Sequence, residues 1–491
     1  LKTHIDGDLG ANLTSDQKEG LLLFSSWLTE SVGDKPFVMS GFAGSGKTFL
    51  SMKFLQLVEN KNLCWTVAAP THKAVGVLKK ALDEEGLRPT WYPSTIHRLL
   101  RLKLKRKGDI ELCEETDQTL TSLNELALVI IDESSMIDQN LLEIVLRCAH
   151  SSGTRLVFVG DPEQLPPVGE SHSSVFSMKR STSVQLSQVV RHQGPILRLA
   201  NCVRDGTIPC QIPPLIPPVK SSKSLVRILN KISWLDHAKS SLRSASENDN
   251  PDEARILCYT NRVLERLIPH ARRAIHGDMA DQMPVLPGEV LITRKAIMAA
   301  ASASSDGQDE GEDPDMLISS NREMIVLDIT PEDCDLKNFG LDNDDLFETS
   351  LVNTQIAKVK CGERELSLRL LPHMGTNSRQ KLDFLLKRLS KIAKELGSKE
   401  GKKYWRKFFF IRDAFASVGP ASVLTVHRSQ GSTFENVFVA SDVFWPQDLC
   451  LRKQLTYVAI SRASNQVWLV GDSQNNASRS TWETQFKSYL S

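Results

Sequence analysis

An α/β fold with parallel sheets follows from three features of the sequence. A short apolar run, Pro36-Phe37-Val38-Met39, leads into the Gly-rich turn Gly41-Phe42-Ala43-Gly44-Ser45-Gly46-Lys47-Thr48, and the stretch from Phe49 sets Phe54, Leu55, Leu57 and Val58 at helical spacing. Other apolar runs, Cys64-Trp65-Thr66-Val67-Ala68-Ala69, Leu128-Val129-Ile130-Ile131 and Arg255-Ile256-Leu257-Cys258, each end in a polar cluster, as strands of open α/β sheets do where they bind ligands. The composition, 41% hydrophobic and 24% charged, is that of an ordinary globular protein, and 491 residues are enough for roughly two to four domains.

The net charge of +1 gives no overall field to draw in a polyanion, so nucleic-acid binding must come from local patches. Nine cysteines, an odd number without a C-x-x-C pair, read as free thiols of a reducing compartment rather than as a zinc site or a disulfide scaffold. No apolar run approaches the length that spans a bilayer, so no membrane partner is expected. No signal peptide opens the chain, whose first residue is Leu1 rather than Met, as a trimmed start would leave it.

Taken in order, the first signal is Thr14 or Ser15, either of which could cap a helix carrying Leu21 to Leu28. Gln17 beside it could read adenine with its two-faced amide, or it could be a solvated residue at a helix start. The Gly-rich turn fits G-x-x-x-x-G-K-[ST], the P-loop. Its glycines let backbone N–H groups approach a triphosphate, and the helix N-terminus adds a favourable dipole. Gly41, Gly44, Ser45, Gly46, Lys47, Thr48 and Phe49 are the expected nucleotide contacts, with Lys47 on the β- and γ-phosphates and the Thr48 hydroxyl on Mg²⁺.

Pro70, Thr71 and His72 follow the next strand; Thr71 and His72 could touch phosphate oxygens, or Thr71 could cap a helix. Thr95 and His97 open a basic tract. From Leu100 to Lys105 apolar and basic residues alternate strictly, Arg106-Lys107-Gly108-Asp109 is turn chemistry, and Ile110-Glu111-Leu112-Cys113-Glu114 alternates again. This predicts a hairpin with a basic strand facing an acidic one. Asp132 and Glu133 end a buried strand, the Walker B position after a P-loop, with Asp132 on Mg²⁺ through its water shell and Glu133 polarising the attacking water. Residues 154–159 form another strand, and Gln164 in the loop after it is placed to sense a γ-phosphate. Residues 184–190 read as a further strand ending in Arg191-His192.

The series Gly-x-x-Gly-x-Gly-Lys-Thr, Asp132-Glu133-Ser134-Ser135-Met136 and Gly160-Asp161-Pro162-Glu163-Gln164-Leu165-Pro166-Pro167-Val168 resembles motifs I, II and III of superfamily 1 helicases, nearest the RecD-like and phage Dda-like group of superfamily 1B. The second half extends the resemblance. Residues 255–261, ending in Thr260-Asn261, resemble the motif that opens the second motor domain. Residues 422–434 resemble motif V, with Arg428 where the group usually has Lys, and Tyr457-Val458-Ala459-Ile460-Ser461-Arg462-Ala463 resembles motif VI. Residues 466–470 read as a last strand.

Between these motifs lies a long interruption. Residues 287–292 read as a turn and strand, 302–315 as a flexible surface loop, 324–328 as a short strand and 331–348 as an acidic solvated face. Residues 380–396 read as a helix whose apolar stripe includes Leu382, Leu385 and Leu389.

The resemblance implies two tandem RecA-like P-loop motor domains, the first over residues 1–90 and 121–195 with an inserted β-hairpin, or pin, at 91–120, and the second over 196–280 and 420–491 with an SH3-like insertion and helical extension at 281–419. It implies ATP and Mg²⁺ as cofactors, and ATP-driven 5′-to-3′ translocation on single-stranded DNA with unwinding of duplexes and forks. Arg191 and Arg462 are then arginine fingers and Gly431 joins the nucleotide contacts. Pro70, Thr71, His72, Thr95, His97, Thr260, Asn261, Thr425, His427 and Arg428 line one DNA groove. A single-strand-binding protein as partner, action as a monomer, and the cytoplasm of a bacterial or phage-infected cell go with that picture. Three alternatives stay open: an ATPase that remodels protein–DNA complexes without unwinding, an RNA helicase, and a small-molecule P-loop kinase, which would lack the second strand-rich half.

Overall fold

The computed structural model describes residues 13–30, 35–107, 110–167, 169–188, 194–221, 224–299, 316–339, 341, 350–474 and 479–486. They fall into two compact units. One comprises Leu1–Lys103, Glu115–Glu265 and Leu424–Ser491, the other Leu104–Glu114 and Arg266–Val423.

The first unit holds two six-stranded sheets. After a helix at Ser15–Glu30 come β1 (Phe37–Gly41), a helix (Lys47–Glu59), β2 (Trp65–Ala69), a helix (His72–Glu84), β3 (Ser94–Thr95) and a helical turn (Ile96–Leu99). The hairpin strands β4 (Lys103–Lys107) and β5 (Ile110–Glu114) intervene before β6 (Leu128–Ile131), a helix (Gln139–Ser152), β7 (Arg155–Gly160) and β8 (Thr182–Leu186). The sheet order is β3-β2-β6-β7-β1-β8, and its neighbours pair in parallel. Both faces are covered, so β2 and β6 are buried end to end. Alternate residues feed opposite cores. Phe37 and Met39 pack with Leu21, Phe24 and Phe54 on one side, and Val38 packs with Val129, Ile131 and Phe158 on the other. Phe24 and Phe54 stack at 4.0 Å, with Phe37 edge-on to both.

The second sheet is assembled from β9 (Val219–Lys220), β10 (Leu225–Leu229), β11 (Ala254–Cys258) and, after the whole second unit, β19 (Val423–Thr425), β20 (Phe434–Val439) and β21 (Ala463–Val470). Its order is β19-β11-β20-β21-β10-β9. Counting across each sheet, the chain enters five strands in one order, the fifth, second, first, third and fourth; the sixth comes last in the first sheet, as β8 parallel to β1, and first in the second, as β9 antiparallel to β10. The same path is walked twice, and the molecule is a tandem pair of RecA-like domains.

The second unit carries β12 (Val290–Thr293), β13 (Ile297–Met298), β14 (Met316–Ile318), β15 (Glu323–Asp335), β16 (Leu351–Cys361), β17 (Arg364–Arg369) and β18 (Val418–Pro420). Five of these form an antiparallel sheet in the order β17-β16-β15-β12-β18. The helix Asn377–Ala414 is broken at Gly397 (φ 74°, ψ −165°), and the chain folds back so that Gly401 meets the Ala393 carbonyl. The paired strands β4 and β5 also group with this unit.

Several boundaries differ from the sequence reading. Leu99 and Leu100 are buried around the helical turn, and Arg101 takes φ 54°, so the basic strand begins at Lys103 rather than Leu100. It runs through Lys107, which the turn chemistry had claimed; Gly108 and Asp109 lie outside the described residues, as do the side chains that would show cross-strand Lys/Glu pairs. β8 stops at Leu186 because Asp16 Oδ2 captures the backbone N–H groups of Ser187 and Gln188 at 2.8 and 3.1 Å. β21 begins at Ala463, not Gln466. The expected short strand at 324–328 is thirteen residues long, because it runs on into the acidic segment and stays paired with β16 as far as Asp335. Cys334, Leu336, Phe339 and Leu341 are buried against Leu382, Leu385 and Leu389, so the segment is not simply a solvated face. Within it Glu332 pairs with Arg369 (Oε1–Nη2 2.7 Å), which holds the carboxylate pKa below its usual value. The loop expected at 302–315 lies outside the described residues.

Candidate functional site

β1 ends in the P-loop. Gly46 takes φ 84° as the residue before the helix Lys47–Glu59, a left-handed conformation that glycine adopts freely. At Gly41 a Cβ would come within 2.6 Å of Ser45 Oγ, so the loop closes only around a glycine. Lys47 Nζ donates to the carbonyls of Gly41 (2.7 Å) and Phe42 (3.1 Å). Ser45 Oγ is buried without a partner. Phe49 is exposed at the start of the helix and Thr48 is half-buried.

Gln17 is buried rather than solvated. Thr14 and Gln17 form a reciprocal capping pair, with Thr14 N donating to Gln17 Oε1 (3.1 Å) and Gln17 N to Thr14 Oγ1 (3.3 Å). The Gln17 amide then donates to the Ser45 carbonyl at 3.1 Å, tying the first helix to the P-loop.

Two carboxylates end β6. Asp132 is held by the Glu133 N–H at 2.8 Å, yet burial, reinforced by the neighbouring Glu133 charge, pushes its pKa up to about 7. Glu133 sits in the left-handed region (φ 51°, ψ 38°), a strain of about 1 kcal/mol for a side chain with a Cβ. Its Oε2 is buried without a partner. After β7, Asp161 is fully buried; its Oδ1 accepts from Glu163 N (3.0 Å) and its carbonyl from Gln164 N (3.2 Å). Gln164 Oε1 is a further buried, unpartnered acceptor.

The helix Leu449–Ser461 of the second RecA-like domain meets these elements. Tyr457 Oη donates to Asp161 Oδ2 (2.6 Å) and accepts from Ala43 N (2.9 Å). Lys453 pairs with Glu163 (3.0 Å), and Gln430 donates to the Leu165 carbonyl (3.0 Å). Arg462, just past the helix, donates to the carbonyl of Ser432 (3.1 Å) and to Ser461 Oγ (3.1 Å). Arg191 lies outside the described residues. Gly431 takes φ 70°, and a Cβ there would come within 3.2 Å of Thr71 Oγ1 and 3.4 Å of the Ala74 Cβ.

The threonines expected to meet nucleic acid share one local design. Thr71, Thr95 and Thr260 each follow a strand and accept a backbone N–H at the start of a helix, from Ala74, Arg98 and Val263. Thr425 precedes a short helical turn. Thr71 and Thr260 stand two residues past β2 and β11, the second strands of the two sheets, and Thr95 and Thr425 end β3 and β19, the first strands. The helix cap weighed as the alternative for Thr71 is therefore present. Thr260 is further committed, because Asp442 Oδ2 accepts its hydroxyl (3.0 Å), its N–H (2.8 Å) and the N–H of Tyr259 (3.1 Å). Asn261 is exposed, while Pro70, His72 and Arg428 are half-buried. Burial lowers the pKa of His97, against Asp138, and of His427, whose ring lies 6.1 Å from Tyr259.

Sequence reasoning missed Tyr457, Asp161 and Asp442 as partners. Tyr457 lay inside a quoted motif, five residues before Arg462, but its partner is 296 positions away in the chain.

Two family models match the chain, the AAA domain over residues 28–212 and the UvrD-like helicase C-terminal domain over residues 420–470. The ATP-dependent DNA helicase dda of Enterobacteria phage T4 is 22% identical over 467 residues, 94% of this chain and 99% of that protein. The ATP-dependent RecD2 DNA helicase of Deinococcus radiodurans is 28% identical over 189 residues, 38% of this chain and 24% of that protein. Among solved structures, Bacteroides Pif1 bound to ssDNA aligns over 97% of each chain at 16% identity, with a TM-score of 0.45.

Proposed function

Because the chain is an ATP-dependent DNA helicase of superfamily 1B, in the group of the RecD-like and Dda-like enzymes, we propose that it moves 5′ to 3′ along single-stranded DNA and separates the duplex as it goes. One observation supports this most. Within a fold used twice, the nucleotide-type residues follow the third to fifth strands of the first sheet alone, while a threonine stands at the end of the first and second strands of both sheets, as a side-chain helix cap at Thr71, Thr95 and Thr260 and without a cap bond at Thr425. A strand lying across those threonines meets the same residue type at corresponding strand ends of each RecA-like domain. A grip that alternates between the domains as the cleft closes and opens gives directed motion, through contacts to phosphate and stacked bases that ignore sequence.

In this reading the amides at the helix start and Lys47 cradle the phosphates of ATP, and the second amide hydrogen of Gln17 reads adenine. Among the described residues no group of three or more His, Cys, Asp or Glu could hold a metal. A Mg²⁺ ion here fits Thr48, Asp132, phosphate oxygens and water, the few-carboxylate shell that this ion prefers. Bound there, Mg²⁺ would offset charge on the β- and γ-phosphates. The unpartnered Oε2 of Glu133 takes a proton from the attacking water, and the unpartnered Oε1 of Gln164 orients that water. Arg462 leaves the Ser432 carbonyl for the γ-phosphate, with Arg191 as second finger. The hairpin β4–β5 is the pin at the fork, braced by the inserted unit with which it groups. Action as a monomer, with a single-strand-binding protein on the freed strand and in a bacterial or phage-infected cytoplasm, belongs to the same proposal.

Strand displacement on forks with a 5′ or a 3′ single-stranded tail tests it. Displacement of the 5′-tailed fork alone is the expected result, and displacement of the 3′-tailed fork alone reverses the polarity. DNA-stimulated ATPase without displacement of either fork replaces unwinding by translocation, and equal stimulation by RNA widens the track.

A further inference from the structure

A single tyrosine hydroxyl joins the P-loop to the turn that bears Gln164. An amide N–H can only donate, so the Tyr457 oxygen accepts from Ala43 and its one hydrogen points to Asp161 Oδ2. Burial and the adjacent Asp161 raise the tyrosine pKa, which keeps that hydrogen in place. From Asp161 the chain of bonds continues through Glu163 N and Gln164 N into the turn. Lys453 and Gln430 grip the same turn from the same domain. Tyr457 and Arg462 lie within one and a half turns of each other at the end of one helix. Any displacement of the P-loop around a triphosphate is thus felt at Gln164 and Arg462 through one oxygen atom.

We propose that Tyr457 is a positioning residue for ATP hydrolysis. Its hydroxyl sets the register of the turn Asp161–Leu165 against the P-loop, and so aligns Gln164 and Arg462 with the γ-phosphate. The proposal rests on the reading of this cleft as the ATPase site. Packing alone does not require the hydroxyl, since phenylalanine fills the same space. What phenylalanine lacks is the link, leaving the half-buried Ala43 N–H and the fully buried Asp161 Oδ2 unmatched.

The test measures ATPase at saturating single-stranded DNA, affinity for a fluorescent ATP analogue, and melting temperature, for wild type, Tyr457→Phe, Asp161→Asn and the double variant. Tyr457→Phe is expected to lower kcat about tenfold or more, with KM and nucleotide affinity within about threefold, and the double variant to fall within about threefold of the worse single one, because both cut one chain of bonds. An unchanged kcat, losses in kcat and KM that track a lower melting temperature, or effects that multiply would overturn it. Should Tyr457→Phe not fold, the same split in Asp161→Asn decides the question. Wild-type hydrolysis that survives Lys47→Ala would instead overturn the reading of the cleft, independently of Tyr457.

Discussion

The fifth strand of the first sheet and the fifth strand of the second are the same element put to different use. β1 is followed by five residues, Phe42 to Gly46, before its helix begins, and they form a loop in which Gly44 and Gly46 take left-handed backbone angles. β10 is followed by one residue, Asn230, whose side chain accepts from Ser233 N (3.0 Å) and starts the helix Lys231–Glu247 at once. The third strands diverge in the same way. Asp132 after β6 is pressed toward the neutral form beside an unpartnered carboxylate, whereas Asp442 after β20 spends one oxygen on three donors of Tyr259 and Thr260. The two third strands nonetheless both end beside a buried carboxylate oxygen without a partner, Glu133 Oε2 in the first sheet and Asp442 Oδ1 in the second; what separates the two sheets is the glycine loop that replaces the Asn230 cap after the fifth strand.

The contrast breaks most sharply at Glu133. Glu133→Gln should lower single-turnover ATP hydrolysis by about 10²-fold or more, the usual worth of a general base, while nucleotide binding persists; Lys47→Ala should lose binding and turnover together. A Glu133→Gln protein that hydrolyses ATP near the wild-type rate would move the base elsewhere. Next in size, replacing residues 101–112 by a short Gly-Ser turn should leave DNA-stimulated ATPase and single-strand translocation intact and cut unwinding strongly, read by fork displacement against translocation rate. Equal unwinding would take the pin role from the hairpin.

A smaller effect lies at Asp132. Its pKa in the folded protein is raised from 3.8 to about 7, so the folded state binds the proton more tightly than the unfolded state. The contribution of this group to stability is therefore most favourable at low pH and declines as pH rises through that window, then levels off. Asp132→Asn should remove that decline, and thermal unfolding between pH 5 and pH 8, compared between the two proteins, would reveal it. The smallest effect is at the counterpart of the P-loop. Asn230→Ala should cost about 1 kcal/mol in urea unfolding, as lost N-caps do, and leave ATP turnover unchanged. A loss of turnover there would mean that the second sheet contributes more than a scaffold.

The parallel sheets, the glycine loop after β1 and the carboxylate pair after β6 were legible because they rest on local signals. A buried strand, a glycine turn and a helix are written within about twenty residues, and paired carboxylates at a strand end stand next to one another. The threonines were legible as positions but not as states, since the same hydroxyl that can meet phosphate also satisfies a helix N-terminus, and Thr71, Thr95 and Thr260 do so. Least legible were the contacts across the repeat. Nothing near Tyr457 announces Asp161, and nothing near Thr260 announces Asp442, because each pairing is set by how two distant strands come to rest. The inserted sheet was under-read for another reason: the acidic stretch of β15 carries no clear period of its own and is held in the strand by pairing with the distant β16.

The order of strands in the second sheet also bears on how the protein can be made. β11 lies between β19 and β20, and both emerge only after the whole inserted unit has been synthesised. At roughly 5–20 residues per second, the apolar segment Ala254–Cys258 waits on the order of 10–35 seconds with neither edge paired. During that interval it is a sticky ribbon on the ribosome, open to pairing with another nascent chain. A second unit that folds promptly by itself shortens the distance between the waiting edge and its partners, and chains truncated before Phe434 should be the ones that aggregate.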